Sequence, residues 1–260
     1  MAEIRFEDGA AYEQMMGVWS RLVGEIFLDW LDPPSGLRWI DIGCGSGAFT
    51  ELLFQFCEPA EIAGIDPSEG QLAFARTRPV AQLAEFLKGD AMALPFPKDR
   101  FDAAVMTLVL VFVPDPQKGI EEMVRVVGPG GTVATYMWDM LGGGFPLDPI
   151  HSEMRAMDLP PLRPPRVEAS SMDALLDLWT DAHLKDIETR EIKVRRTFAD
   201  FDEFWTTNLR APSIGPTVAA MKAAEVDTLK SRVRARVAPN ASGSITLTAR
   251  AHAIRGYKAM

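Results

Sequence analysis

The chain has 260 residues, 47% hydrophobic and 24% charged, with a formal net charge of -9. That length suits one α/β domain with insertions, and the acidic balance argues against a general nucleic-acid binder, which needs an excess of Lys and Arg to neutralise phosphates. The two cysteines, Cys44 and Cys57, fit no metal spacing and read as free thiols, so no metal site is expected. Residues 1–30 lack the basic-then-apolar order of a signal peptide, and the longest apolar run, Ala103 to Val113, is too short to span a bilayer. A cytoplasmic location without membrane insertion is the expectation.

In chain order, Met15, Trp19, Leu22, Val23, Ile26 and Trp30 recur at three- and four-residue spacing and predict an amphipathic helix over Ala10 to Leu31, ended by Asp32-Pro33-Pro34. Strand 1, Leu37 to Ile42, runs into the glycine turn Gly43-Cys44-Gly45-Ser46-Gly47 and a helix from about Ala48 to Phe56. Glu61 to Asp66 predicts strand 2, with a helix after Pro67-Ser68. Ala84 to Lys88 predicts strand 3 and the apolar run from Phe101 strand 4. A helix over Gln117 to Val127 and a glycine turn at Gly128-Pro129-Gly130-Gly131 lead to strand 5, Thr132 to Met137.

Short apolar strands alternating with helices imply a parallel sheet flanked on both faces, whose strand carboxyl ends share one ligand-binding edge. Later segments break the rhythm. Met140 to Leu178 is rich in Met, Pro and aromatic residues, Asp186 to Phe198 and Ser242 to Ala253 alternate like antiparallel strands, and Asp200 to Leu209 and Val218 to Val233 read as helices. The expected division is a cap helix over 1–36, a Rossmann-like domain over 37–138 and 184–260, and insertions 139–183 and 199–235 forming a substrate lid.

Three glycines in five positions suit a polar ligand approaching a helix N-terminus. Gly43, Gly45 and Ala48 also satisfy the G-x-G-x-x-A dinucleotide pattern, with Asp66 placed to bind a ribose. An NAD(P)-dependent oxidoreductase therefore stays open at this point, as does a domain that binds a cofactor without turnover. Asp66 and Asp90 also suit helix N-caps, and Asp41 suits bonds to loop amides.

The ordered set Asp41 to Gly47, Gly64-Ile65-Asp66-Pro67-Ser68, Gly89-Asp90 through Phe96, Phe101-Asp102, Val113 to Pro116 and Gly128 to Gly131 resembles the class I S-adenosylmethionine-dependent methyltransferases, in particular the small-molecule and quinone-type subgroup. The resemblance implies a seven-stranded, mostly parallel α/β sheet of Rossmann-like type, its last strand antiparallel, with helices on both faces and an inserted helical lid. It implies methyl transfer from S-adenosylmethionine to a small-molecule acceptor, leaving S-adenosylhomocysteine. Gly43, Gly45 and Gly47 would lie under the methionine and ribose portions. Asp66 with Pro67 would meet the ribose hydroxyls, Asp90, Ala91 and Met92 the adenine, and Thr107 and Leu108 the side facing the acceptor. Asp41 would act near the amino group, directly or through water.

Tyr12 belongs to an N-terminal pattern of the same resemblance and is a candidate cofactor contact and a weak catalytic candidate. A sulfonium tolerates acidic neighbours better than a diphosphate does. Aromatic wall candidates are Tyr12, Tyr136, Trp138, Phe112 and Trp205. Among the histidines, His151 follows strand 5 closely enough to face the crevice, whereas His183 reads as surface and His252 as structural. The sequence leaves acceptor and oligomeric state open.

Overall fold

The computed structural model describes residues 13–260. Seven strands form one sheet in the order β3-β2-β1-β4-β5-β7-β6, where β1 is Arg38–Ile42, β2 Glu61–Asp66, β3 Ala84–Lys88, β4 Phe101–Thr107, β5 Val127–Trp138, β6 Lys185–Phe198 and β7 Ile245–Tyr257. The first five pair in parallel. β7 enters between β5 and β6 and runs antiparallel to both. The expected mostly parallel, Rossmann-like sheet with an antiparallel last strand is therefore present. The chain reverses direction in strand order between β1 and β4, which opens a crevice at their carboxyl ends.

Alternation along the strands divides the core between two faces. Trp39 of β1 points to one face, where it meets Val23 and Phe27 of helix α1 (Val18–Leu31) and Leu53 of α2 (Ala48–Cys57). Ile40 and Ile42 point to the other, with Ile120 and Met123 of α4 (Pro116–Val126). Between them in the chain, α3 (Glu69–Ala75) takes Ser68 as N-cap, its hydroxyl accepting from the Gln71 amide. A π-helical turn, Glu13–Gly17, leads into α1, which stops at Asp32 in a left-handed conformation, φ 43°, before the two prolines.

Three expectations change. Strand 5 begins earlier than Thr132: β5 pairs at Val127 with Phe101 and again at Thr132 with Ala103, so Gly128 to Gly131 form a bulge within the strand rather than a turn before it. Gly130 supplies the positive φ of 76° that the bulge requires. β7 is displaced towards the C-terminus, ending at Tyr257 rather than Ala253.

The third change concerns the region 139–183 expected as lid. It contains α5 (Asp148–Arg155) and α6 (Met172–Asp181), which part company. α6 lies on a face of the sheet, where buried Trp179 donates from Nε1 to the Val133 carbonyl at 3.1 Å. Its apolar face belongs to the core. α5 instead packs against α9 (Ala223–Arg236), preceded by α7 (Phe201–Asn208) and α8 (Gly215–Ala220). Glu153 fastens the pair by accepting from Arg232 Nε at 2.7 Å and Arg236 Nε at 2.8 Å. The segment after β5 is closed by Arg250, which donates to Asp139 and to the Gly142 carbonyl.

Candidate active site

The glycine turn is held by backbone bonds to β2. The amides of Gly43 and Cys44 both donate to the Ile65 carbonyl, at 2.6 and 3.0 Å, and Gly47 N–H donates to the Cys44 carbonyl at 2.8 Å. Gly43, Gly45 and Gly47 all take positive φ, 73°, 51° and 77°. At Gly43 a Cβ would stand 2.5 Å from Val109, whereas at Gly45 the nearest atom would be 3.9 Å away. Gly43 thus allows close packing, and Gly45 keeps open the cavity it lines.

That cavity measures about 460 Å³ and lies at the strand ends. Its walls include Gly43, Cys44, Gly45, Asp66, Pro67 and Gln71 on one side and Thr107, Leu108, Phe112 and Tyr136 on the other. Asp66 is fixed from two directions: Oδ2 accepts from the Gly45 amide at 3.0 Å and Oδ1 from the Ser68 amide at 2.8 Å. Burial raises its pKa, and those two N–H bonds oppose the shift. A carboxylate has about four acceptor positions, so two remain for a ligand's hydroxyls. Asp66 does not serve as the N-cap of the next helix, because Ser68 does.

Asp41 lies under the turn with no exposed surface. Oδ2 accepts from the Thr50 hydroxyl at 2.7 Å, rather than from loop amides, while Oδ1 has no hydrogen-bond partner. Burial pushes the carboxyl up to about 7, assisted by the charge of Asp66 and opposed by the Thr50 bond. The structure thus places Asp41 behind the cavity wall. A direct contact from this carboxylate would need the turn to move.

Several expected positions also lie off the lining. Gly47 faces inward, where a Cβ would meet Ala75 and Phe86 at 3.1 Å each. Asp90, Ala91 and Met92 fold into a side-chain turn in which Asp90 Oδ1 accepts from the Met92 amide at 2.9 Å. The chain after them is pinned by α4. Glu122 accepts from the Leu94 amide, and Arg125 donates to the carbonyls of Leu94 and Phe96. Tyr12 lies outside the described residues.

Sequence reading missed Gln71 and Arg78 on the cavity wall. Arg78 donates to the Ser46 carbonyl at 2.6 Å and pairs with Glu51 at 2.7 Å, bracing the back of the turn. It stands in a loop outside every motif, so only its basic character could have drawn attention.

Leu108 joins this cavity to a second one. It adopts φ 61°, an uncommon conformation for a bulky side chain, with its amide held by the Tyr136 carbonyl at 2.9 Å. Leu108 and Phe112 line both spaces. The second cavity, about 70 Å³, is walled chiefly by Met15, Met16, Met137, Trp138, Phe145 and Leu147. His151 and Ser213 supply its polar edge, with His151 Nε2 2.9 Å from Ser213 Oγ. Burial lowers the His151 pKa to about 4, helped by Arg155 and Arg163 and opposed by Asp148. Of the expected aromatic wall, Tyr136 lines the first cavity, Trp138 the second and Phe112 both. Trp205 stacks on Phe201 and borders neither.

His252 donates from Nδ1 to the Ser170 carbonyl at 2.9 Å and lines neither cavity. Among the described residues no cluster of His, Cys, Asp and Glu suits a metal ion, and no helix is long and apolar enough to cross a membrane.

Residues 40–135 match the family model described as a methyltransferase domain. The demethylmenaquinone methyltransferase of Desulfitobacterium hafniense (strain Y51) is 39% identical over 105 residues, 38% of this chain and 42% of that protein. The 2-phytyl-1,4-naphtoquinone methyltransferase of Thermosynechococcus vestitus is 34% identical over 120 residues, 45% of this chain and 51% of its own length. The matches thus span about half or less of those relatives. A methyltransferase structure from Anabaena variabilis shares the fold with a TM-score of 0.65 at 16% identity, covering 91% of this chain and 98% of that one. Phosphoethanolamine N-methyltransferase 2 of Haemonchus contortus, solved with S-adenosyl-L-methionine, gives 0.60 at 18% identity, covering 96% and 56%.

Proposed function

We propose that this chain, whose residues 40–135 form a class I methyltransferase domain, transfers the methyl group of S-adenosylmethionine to a small-molecule acceptor. The observation that carries the reading is Asp66, fixed by two backbone amides at the rim of a cavity of about 460 Å³, with acceptor capacity left for a diol. The residues fit the cofactor in three respects. Gly45 leaves space where a side chain would intrude, Asp66 offers its carboxylate, and Thr107 and Leu108 line the opposite wall.

When bound, S-adenosylmethionine would supply an activated methyl group, to be taken by in-line attack of the acceptor with S-adenosylhomocysteine as the leaving thioether. The chain's own contribution is placement. Asp66 would hold the ribose side, the glycine turn the methionine side, and Thr107 and Leu108 the side towards the acceptor. Leu108 and Phe112, which line both cavities, would exclude water between them. Orientation of this kind supplies roughly 7 to 11 kcal/mol in well-aligned reactions. Asp90, Ala91 and Met92, just after β3, would meet the adenine.

Thermal unfolding with S-adenosylmethionine, S-adenosylhomocysteine, NAD and NADP tests this reading. A ligand at a hundredfold excess over its dissociation constant stabilises by about 2.7 kcal/mol, and the adenosyl compounds are expected to do so. Stabilisation by a nicotinamide dinucleotide alone would return the glycine turn to the oxidoreductase reading. Binding without methyl transfer from a labelled donor to any acceptor in an extract would leave a binding module.

A further inference from the structure

The apolar cavity behind Leu108 has one polar edge, and its chemistry restricts what can lie there. His151 and Ser213 are 6% and 7% exposed and come from segments 62 residues apart, α5 and the loop before α8. Their mutual bond uses Nε2 of the imidazole. Nδ1 meets no hydrogen-bond partner among the described residues, although the ring lines the cavity and packs against Phe145 at 5.5 Å between centroids. A pair that served only to tie the two segments together would leave no reason for the ring to border the space.

We infer that His151 and Ser213 form the acceptor anchor, receiving one uncharged oxygen, a ring hydroxyl or its keto form, on an otherwise apolar molecule. The inference rests on the methyl-transfer reading of the adjoining cavity. The imidazole is neutral at ordinary pH, because burial and the nearby Arg155 and Arg163 disfavour its charged form. With Nε2–H donating to Ser213, Nδ1 accepts from a hydroxyl. With the Ser213 hydroxyl donating to Nε2, Nδ1–H donates to a carbonyl. Both tautomers bind oxygen and neither compensates a full charge, so carboxylate and ammonium acceptors are disfavoured in this apolar wall.

In this arrangement the cavity of about 70 Å³ is smaller than the about 150 Å³ apolar cavity that takes benzene. It admits the oxygen-bearing edge of a ring, and Met15, Met16, Met137 and Met140 are the side chains able to repack around the remainder.

The full chain, saturated with S-adenosylhomocysteine and labelled with ¹⁵N-histidine, is titrated with phenol, toluene and benzoate. Phenol is expected to bind about fivefold tighter than toluene, the worth of one net hydrogen bond, and to move the His151 Nδ1 resonance. Benzoate is expected to bind more weakly than phenol. His151→Phe should erase the preference for phenol over toluene, an effect that a merely structural pair would not produce. If that variant does not fold, Ser213→Ala should reduce the preference towards parity. Equal binding of phenol and toluene by the wild type, a static Nδ1 signal, benzoate equal to phenol, or a preference retained in the folded variant overturns the inference. The S-adenosylhomocysteine titration reports separately: no binding there overturns the methyl-transfer reading itself, whereas normal binding with phenol–toluene parity overturns the anchor alone.

Discussion

The two cavities share Leu108 and Phe112 but differ in how they are built. The larger is shaped by backbone: a turn with three positive-φ glycines, two amides on Asp66 and the carboxyl ends of three parallel strands. The smaller is shaped by side chains from distant segments, the π turn before α1, the end of β5, α5 and the loop before α8. The first is therefore preorganised by local chain geometry, while the second depends on how α5 and α9 are fastened over the sheet. On the proposed function, cofactor recognition and acceptor choice are separable, and changes in one region should leave the other largely intact.

The largest expected effect lies in the scaffold common to both. Trp179→Ala removes a fully buried indole and its bond to Val133, which should cost about 3 to 5 kcal/mol in chemical denaturation. Because α6 packs on the sheet and none of its residues lines either cavity, affinity for S-adenosylhomocysteine should be unchanged below the unfolding transition. A loss of affinity matching the loss of stability would place α6 functionally in the lid.

Asp41 sharpens the contrast from the cofactor side. Its folded pKa is raised to about 7, above the ordinary value of about 4. Its contribution to stability is thus full below about pH 4 and is lost as pH rises through about 7, an amount of up to about 4 kcal/mol. The stability difference between wild type and Asp41→Asn, measured without cofactor by urea unfolding, should move in favour of the variant across that interval. A pH-independent difference would show that the carboxylate is stabilised by a group other than Thr50.

Asp66→Ala should raise the dissociation constant for S-adenosylhomocysteine about 10- to 150-fold, corresponding to about 1.5 to 3 kcal/mol for a charged hydrogen bond. Phenol binding next to His151 should persist. Glu153→Gln carries the smallest effect. The Arg232 and Arg236 side chains are 43% and 47% exposed, so weakening their link to α5 should cost only about 1 kcal/mol. Both arginines hold the Glu153 carboxyl below its ordinary pKa, so this contribution is present above about pH 4.5 and falls as acid protonates the group. Thermal unfolding at pH 7 and pH 4 should show the wild-type advantage shrinking.

The same division explains what could be read from the sequence. Gly43 to Gly47 and Asp66 announce themselves because a turn of this kind needs glycine at particular places and leaves the carboxylate at the strand end. The sheet was legible for a similar reason, since alternating and continuous apolar runs report which strand faces are buried. Ser213, Gln71 and Arg78 left no such trace: their roles come from contacts between distant segments. α6 has the periodicity of any amphipathic helix, and nothing in that periodicity distinguishes packing on the sheet from covering the crevice. Asp41 was visible as a strand-end acid, but its depth beneath the turn follows from the Thr50 bond and the packing around it.

Central to the proposed function is that the larger cavity is an adenosyl-sulfonium site rather than a dinucleotide site. Calorimetric titration of the wild-type chain with S-adenosylhomocysteine and with NADPH, in parallel, tests this most directly. One saturable site for S-adenosylhomocysteine and no heat of binding for NADPH are expected. Saturable NADPH binding with none for S-adenosylhomocysteine would contradict the proposed function.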